Sequence, residues 1–216
     1  MFFTVLCFLP TSATAQKLVN NTMTNLPLDV KVDNTLYVVI KADSKISTEK
    51  IQIVKNVIMS KDSFTINGKK FYKGWEGALL NASSAEHYKT RFPLPVNLKI
   101  TDPLANSNHV TITIVLTLAK NDQNYDGYTT YTTGNRMIEN AQITIYKADS
   151  LSNDDLSAIT RHEFGHALGL GHSSSVGDLM YPDIDPSTAF ISEGNIEALV
   201  ALYNGQVLSE YLEAKA

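Results

Sequence analysis

The stretch that decides the fold is R-H-E-F-G-H-A-L-G-L-G-H, residues 161–172. It places His162, His166 and His172 at the spacing H-E-x-x-H-x-x-G-x-x-H. The first two histidines are four residues apart, so on a helix they lie on one face and can reach the same metal ion. Three histidine nitrogens leave a fourth tetrahedral position open for water, which is typical of catalytic zinc. The stretch therefore predicts a zinc site with hydrolytic chemistry.

Two further residues of this stretch complete the predicted site. Gly169 can adopt backbone angles that end the helix and turn His172 back toward the ion. Glu163 lies beside the first ligand and is the expected base for the zinc-bound water. The alternative, a helix that carries ordinary exposed or core histidines, has to explain five matched positions in eleven residues as chance.

The motif resembles the zinc site of the metzincin endopeptidases, in which a methionine turn follows the third histidine. Residues 173–182 read S-S-S-V-G-D-L-M-Y-P, so Met180 is the expected methionine of that turn. Ser173 directly after the third histidine, the run D-L-M-Y-P and a closing L-Y-N-G at 202–205 are most similar to the matrixin branch.

The resemblance implies roles for the turn. Met180 would form an apolar floor beneath the three imidazoles without binding zinc. Tyr181 and Pro182 would form part of the wall of the pocket for the substrate side chain that follows the scissile bond. Astacin-like enzymes place a zinc-binding tyrosine two residues after the methionine, where this chain has Pro182, so no tyrosine ligand is expected.

The resemblance also implies the fold class: α+β, with a twisted, mixed five-stranded sheet, an active-site helix and a C-terminal helix after the methionine turn. Apolar periodicity and caps agree with this order. Strands are predicted at 36–42, 96–100, 110–118, 128–132 and 141–147, and helices at 48–60, towards the end of 71–82, at 151–168 and at 195–203. Asn67-Gly68 predicts a hairpin turn, and Trp75 is predicted to be a core anchor.

The predicted organisation is a signal peptide at 1–15, a short extension at 16–34, the catalytic domain at 35–205 and a tail at 206–216. Residues 2–9 form a short apolar run, and Ala13-Thr14-Ala15 is a small-x-small cleavage signature. The run is shorter than the ~20 apolar residues that span a bilayer, so no stable membrane span is expected after cleavage. No Lys or Arg precedes it, and a buried N-terminal strand is the alternative.

Composition suits one globular domain, and the N-terminal apolar run with its cleavage signature predicts a secreted or cell-envelope protein. The 216 residues are 44% hydrophobic, with a net charge of -4 that disfavours nucleic-acid binding. Cys7 is the only cysteine and would leave with the signal peptide. Many matrixins are kept latent by a propeptide cysteine, and that mechanism is not expected here. The resemblance is to small microbial members, and a monomer is expected.

The sequence offers candidates for a calcium site and for a second zinc site. Asp122, Asn124 and Asp126-Gly127 match the start of a calcium loop, D-x-N-x-D-G, but Thr133 stands at the twelfth position where glutamate is expected. The alternative is a plain acidic turn between strands. A second, structural zinc is disfavoured because His87 and His109 lack the spacing that the family uses. Asp29 or Asp33 capping the catalytic zinc is also disfavoured, since both suit ordinary solvated acids.

The resulting hypothesis is a secreted zinc endopeptidase that hydrolyses peptide bonds in extended protein substrates through a zinc-bound water activated by Glu163. The strand at 128–132 would form the upper rim of the cleft and pair with the substrate. The main alternative is an inactive module of the same fold that binds peptides or partner proteins. A zinc amidase acting on a non-protein substrate is disfavoured by the third histidine and the methionine turn.

Overall fold

The computed structural model describes residues 2–6, 26–30, 34–84, 90–102, 110–123 and 125–206. These residues form nine strands and four helices. The strands are β1 (Phe2–Leu6), β2 (Thr35–Ala42), β3 (Ser63–Ile66), β4 (Lys69–Tyr72), β5 (Asn97–Thr101), β6 (Val110–Leu116), β7 (Gly127–Gly134), β8 (Met137–Ile145) and β9 (Ile191–Ser192). The helices are α1 (Thr48–Met59), α2 (Trp75–Ser84), α3 (Asn153–Ala167) and α4 (Glu193–Tyr203).

The main sheet contains the five predicted strands in the order β5-β2-β6-β8-β7. The first four are parallel to one another, and β7 is antiparallel to β8. This confirms the α+β class with a mixed five-stranded sheet. The strand β6 lies between two parallel neighbours, and its Ile112, Ile114 and Leu116 side chains are fully buried. The most β-prone stretch of the sequence is therefore central, as predicted.

A sixth strand, β1, pairs antiparallel with the outer edge of β7, from Phe2 opposite Thr132 to Leu6 opposite Tyr128. The sequence predicted β7 as an exposed edge. An edge strand presents unpaired N–H and C=O groups that accept any extended segment within reach, and here the N-terminal segment takes that place. The pairing leaves the predicted signal peptide untested.

Two tight hairpins shape the sheets. Asn67 and Gly68 both have positive φ, 51° and 76°, which is the geometry of a type I′ turn, and they join β3 to β4 as predicted. Asn135 and Arg136, with φ of 51° and 62°, make a similar turn between β7 and β8. This second turn extends both strands beyond their predicted bounds, since the pairing resumes after a register shift between Thr132 and Thr133 and continues to Gly134 opposite Met137.

A small second layer is built around the segment between α1 and α2. That segment contributes β3 and β4, which form a three-stranded sheet with β9 from residues 191–192, and α2 follows β4. Trp75, the first residue of α2, is fully buried, which confirms the predicted core anchor. Its indole Nε1 donates to the carbonyl of Arg161 at 3.0 Å. The second layer therefore contacts the helix that carries the metal-site motif.

The motif helix α3 packs against α1 and against strands β7 and β8. Its N-cap is Ser152, as predicted, whose hydroxyl accepts from the Asp155 amide at 3.0 Å. Helix α4 is capped by Ser192 and ends at Asn204, with Gly205 at φ 79° immediately after it. Among the described residues, no helix combines the length and the apolar character needed to cross a membrane.

Candidate metal centre

The structure brings the three predicted histidines together. Their ligand nitrogens lie within 4.8 Å of one another, and no other group of this kind occurs among the described residues. His162 and His166 come from successive turns of α3 and are buried, whereas His172 is half-buried on the loop that follows. Ring centroids are 4.5 Å apart for His162 and His166 and 4.8 Å apart for His166 and His172. This convergence suits one small ion.

Hydrogen bonds set the tautomers of two of the rings. The Nδ1 of His162 lies 2.7 Å from the Leu179 carbonyl, and the Nδ1 of His166 lies 2.8 Å from the Leu170 carbonyl. A carbonyl only accepts, so both Nδ1 atoms carry the proton and both Nε2 atoms present lone pairs. The two Nε2 atoms are 2.9 Å apart. Two facing lone pairs repel unless a cation lies beside them, so the donor set fits a metal ion.

The site keeps its imidazoles neutral, which metal binding requires. Burial lowers the pKa of His162 to about 3, with a further contribution from the neighbouring His172. Burial, His162 and His172 lower the pKa of His166 well below its ordinary value. Burial also lowers the pKa of His172 to about 4. All three lone pairs are therefore available at neutral pH.

Glu163 follows the first ligand in the chain and is fully buried. The hydroxyl of Thr129 on β7 donates to its Oε2 at 2.6 Å and lies 3.2 Å from its backbone carbonyl oxygen. Gly127 leaves room for the Glu163 side chain, because a Cβ at this position would lie 2.7 Å from Glu163 Oε1 and 2.7 Å from a methyl carbon of Ile159. Neither Thr129 nor Gly127 was predicted from the sequence, because only the packing of β7 on α3 makes them neighbours of the glutamate.

Two glycines allow the backbone path around the histidines. Gly169 has φ of 105°, and a Cβ there would lie 2.1 Å from the Leu26 carbonyl oxygen, so the helix ends where the sequence predicted. Gly165 lies between the first two histidines, and a Cβ there would lie 2.6 Å from the sulfur of Met180. Met180 is itself buried, which places its thioether directly against the helix turn that bears the imidazoles.

Comparison with known proteins agrees with this geometry. Residues 107–204 match the family described as Matrixin, a span that includes all three histidines, Glu163 and Met180. Residues 107–204 are therefore similar to the matrixin domain, which supports a matrixin-like metzincin. The matched span is just under half of the chain.

Relatives of the matrixin domain come from distant organisms. Metalloendoproteinase 1 of Glycine max is 39% identical over 61 residues, which are 27% of this chain and 20% of that protein. Matrix metalloproteinase-18 of Xenopus laevis is 44% identical over 52 residues, 23% of this chain and 11% of that protein. Neutrophil collagenase of Homo sapiens is 40% identical over 55 residues, 24% of this chain and 12% of that protein. The chain thus spans a fifth or less of the length of these relatives.

Arg161 links the helix that carries the metal-site motif to neighbouring segments. The residue is buried, and its guanidinium donates to the Lys73 carbonyl at 2.8 Å and to the Ala189 carbonyl at 3.1 Å. The group also lies 4.7 Å from the ring centroid of Phe190. Burial lowers the pKa of Arg161 to about 10, so it stays charged at neutral pH. The sequence predicted no role for Arg161, since its partners lie on distant segments.

A cavity of about 550 Å³ opens beside α3. Its lining combines α3 residues, including Ala158 and Ile159, with residues 183–186, directly after the methionine turn. Tyr181 and Pro182, the predicted wall residues, are half-buried and do not line this cavity. Four carboxylates and one ammonium face it: Asp126, Asp155, Asp183, Asp185 and Lys147.

The other residues considered as metal ligands form no metal-binding group within the part of the chain that the structure describes. Asp126 is buried and forms an ion pair with Lys147, with 2.5 Å between its Oδ1 and the ammonium nitrogen. Asn124 lies outside the described residues, as do Asp33, His87 and His109. Asp122 and Asp29 belong to no metal-binding group within the described part of the chain. Calcium thus remains a prediction made from the sequence.

Proposed function

We propose that this domain is a zinc-dependent endopeptidase that hydrolyses peptide bonds in extended protein substrates. The observation that carries the proposal is the convergence of three imidazoles on one point, on a helix that also bears the buried Glu163. Membership of the matrixin-like group and the names of the relatives support it. The proposal concerns the activity of this chain, which covers only a small part of each relative.

His162, His166 and His172 would hold the zinc ion. When bound, zinc supplies a Lewis acid that polarises the scissile carbonyl and makes water acidic enough to be deprotonated near neutral pH. Glu163 takes the proton from the attacking water and returns it to the leaving amine. Thr129 holds the Glu163 carboxylate in place through its 2.6 Å hydrogen bond. Met180 keeps the floor of the site apolar and dry.

The strand β7 is the proposed binding edge for substrate. An extended peptide that adds to a sheet edge gains main-chain hydrogen bonds whatever its side chains are. The antiparallel pairing of β1 with β7 supports this role, because it places an extended segment along the same strand that carries Thr129. The cavity beside α3 is the proposed pocket for a substrate side chain.

The decisive experiment is cleavage of a diverse peptide library by zinc-loaded protein, with and without a chelator. Glu163→Ala is expected to lower the cleavage rate by about 100- to 10,000-fold, which is the usual contribution of a general base. Glu193→Ala removes an exposed glutamate at the start of α4 and should leave the rate unchanged. Cleavage that persists in Glu163→Ala would overturn the mechanism.

The rival function is a peptide-binding module without catalysis. It would bind members of the same library, and zinc-loaded protein would cleave none of them. The intact Glu163 and its hydrogen bond to Thr129 favour the enzyme, because loss of the base is the simplest route to inactivity.

We also propose that the protein is a secreted or cell-envelope monomer released by cleavage after Ala15. The apolar run at 2–9 and Ala13-Thr14-Ala15 support this. N-terminal sequencing of the exported protein should begin at Gln16, and sedimentation should give the mass of one chain. An N terminus at residue 1 in the exported protein would contradict the cleavage.

Calcium binding by the loop at 122–127 is a secondary proposal, supported by the D-x-N-x-D-G spacing. Asp126 would have to exchange the ammonium of Lys147 for the ion. Calcium titration followed by calorimetry should give heat that Asp122→Asn abolishes. Equal heat from both proteins would place any calcium elsewhere.

A further inference from the structure

A hydrogen-bonded pair outside the metal centre joins α4 to the methionine turn. The amide Nδ2 of Asn195 donates to both carboxylate oxygens of Asp178, at 3.0 and 3.1 Å. Asn195 is only 4% exposed, and Asp178 is half-buried. The two residues lie 17 positions apart, so this contact is a feature of the tertiary structure.

The hydrogen bond from Ser192 determines which end of the Asn195 amide faces Asp178. The backbone N–H of Ser192 donates to Asn195 Oδ1 at 2.9 Å as part of the capping box of α4. An amide N–H cannot accept, so Oδ1 must face Ser192 and Nδ2 must face Asp178. A charged acceptor on the turn therefore meets a neutral donor on the helix, and bonds to a charged partner are the stronger kind.

The pair reaches the metal centre through the turn itself. Asp178 Oδ1 accepts from the Met180 amide at 2.8 Å, and the Asp178 carbonyl accepts from the Tyr181 amide at 3.0 Å. Leu179 lies between these anchored residues, and its carbonyl accepts from His162 Nδ1 at 2.7 Å. The Leu179 carbonyl, which orients the His162 imidazole, thus belongs to a turn that is hydrogen-bonded to α4.

We infer that Asp178 and Asn195 are positioning residues for zinc: together they hold the turn so that the Leu179 carbonyl orients His162. Partners of this kind behind a metal ligand set its tautomer and ring direction, and their loss typically weakens metal binding by about 10- to 100-fold. The inference rests on the proposed zinc site and does not depend on peptide cleavage.

The test is an exchange of the two side chains, read by zinc affinity in competition with a chromophoric chelator. Asn195→Asp places two carboxylates face to face. Asp178→Asn removes the charge and replaces Oδ2, the acceptor 3.1 Å from Asn195 Nδ2, by a second amide donor. Each single change should weaken zinc binding by at least about tenfold. In the double variant D178N/N195D, the amide now on the turn donates to the carboxylate now on α4. Its zinc affinity should return to within about threefold of the parent value, well inside the loss expected for either single change.

Two controls separate positioning from general damage. Asp43→Asn alters another carboxylate that accepts from a backbone amide, that of Leu118 at 2.8 Å, on a different segment of the chain, and it should leave zinc affinity unchanged. Thermal unfolding of the zinc-free proteins shows which variants fold. The visible absorption of the cobalt-loaded protein should shift in the single variants and revert in the exchange.

Zinc affinities of both single variants within about twofold of the parent, far from the expected tenfold loss, would overturn the inference. So would an exchange variant that folds but binds no better than the weaker single variant. If a single variant fails to fold, the exchange variant alone decides, since it retains the donor and the acceptor of the pair. A protein that binds zinc as expected and cuts no peptide would leave this inference standing while removing the proposed protease function.

Discussion

The individual side chains around the metal centre are set by a few short hydrogen bonds. Glu163 is fully buried, and a buried carboxylate is costly unless it has partners. The Thr129 hydroxyl supplies a 2.6 Å bond and so holds the carboxylate in one orientation. A base held in this way needs no rearrangement when the proton is transferred.

We predict that Thr129→Val lowers kcat about 10- to 100-fold with little change in KM, because a hydrogen bond to a charged group contributes about 1.5–3 kcal/mol. Steady-state kinetics on one peptide measure both constants. Thr129→Ser keeps the hydroxyl and should keep most of the activity. Thr130→Val, on the next residue of β7, should change neither constant, and an equal loss there would contradict the role of Thr129.

The imidazoles predict how the zinc-free protein responds to acid. The pKa of His162 is lowered to about 3 and that of His172 to about 4 in the folded chain, against 6.5 ordinarily. Below about pH 6.5 the unfolded chain therefore binds protons that the folded chain does not. The free energy of unfolding should fall as the pH decreases from about 6.5 to about 4.

Urea unfolding at several pH values tests this in chelator-treated protein. His172→Asn removes one of the titrating groups, so its free energy of unfolding should depend less steeply on pH between about 6.5 and about 5. A slope that stays the same in the variant would show that other groups cause the acid sensitivity.

At the scale of elements, α3 carries the site and its start is determined locally. Ser152 caps the helix by accepting from the Asp155 amide at 3.0 Å. Ser152→Ala should lower the free energy of unfolding by about 1 kcal/mol, the usual cost of losing such a cap. Urea titration measures it. Ser157→Ala, in the same helix, removes only a bond to the Asn153 carbonyl and should be neutral or slightly stabilising.

Three local features were predictable from the sequence because each depends on a few adjacent residues. They are the Ser152 cap, the approximate ends of α3 and the Asn67-Gly68 turn. The start of β8 was placed several residues late, since Asn135-Arg136 is an uncommon turn sequence whose positive φ values are enforced by the paired strands. The bond of Trp75 to Arg161 was also missed, as a local pattern cannot state what an indole faces.

For the whole molecule, the five strands β5-β2-β6-β8-β7 and the four helices enclose the core, and β1 adds to the outer edge. We predict that a variant starting at Gln16 retains a cooperative fold, with a melting temperature within a few degrees of the full chain. Circular dichroism during heating measures this. Its β7 edge would then be open to an added peptide. A non-cooperative melt would mean that residues 2–6 are part of the folding unit.

The sequence by itself determined the ligand spacing, the position of the proposed base Glu163, the methionine that follows the third histidine and the order of elements. These are properties of residue type and of periodicity over short distances, and the fold class followed from the resemblance that they carry. Only the tertiary structure decided that Thr129 and Gly127 meet Glu163, that β1 covers β7, and that Asn195 braces the turn behind His162. Each of those contacts joins residues that are far apart in the chain. They come within bonding distance only because helices and strands pack against one another, and no local sequence pattern encodes that packing.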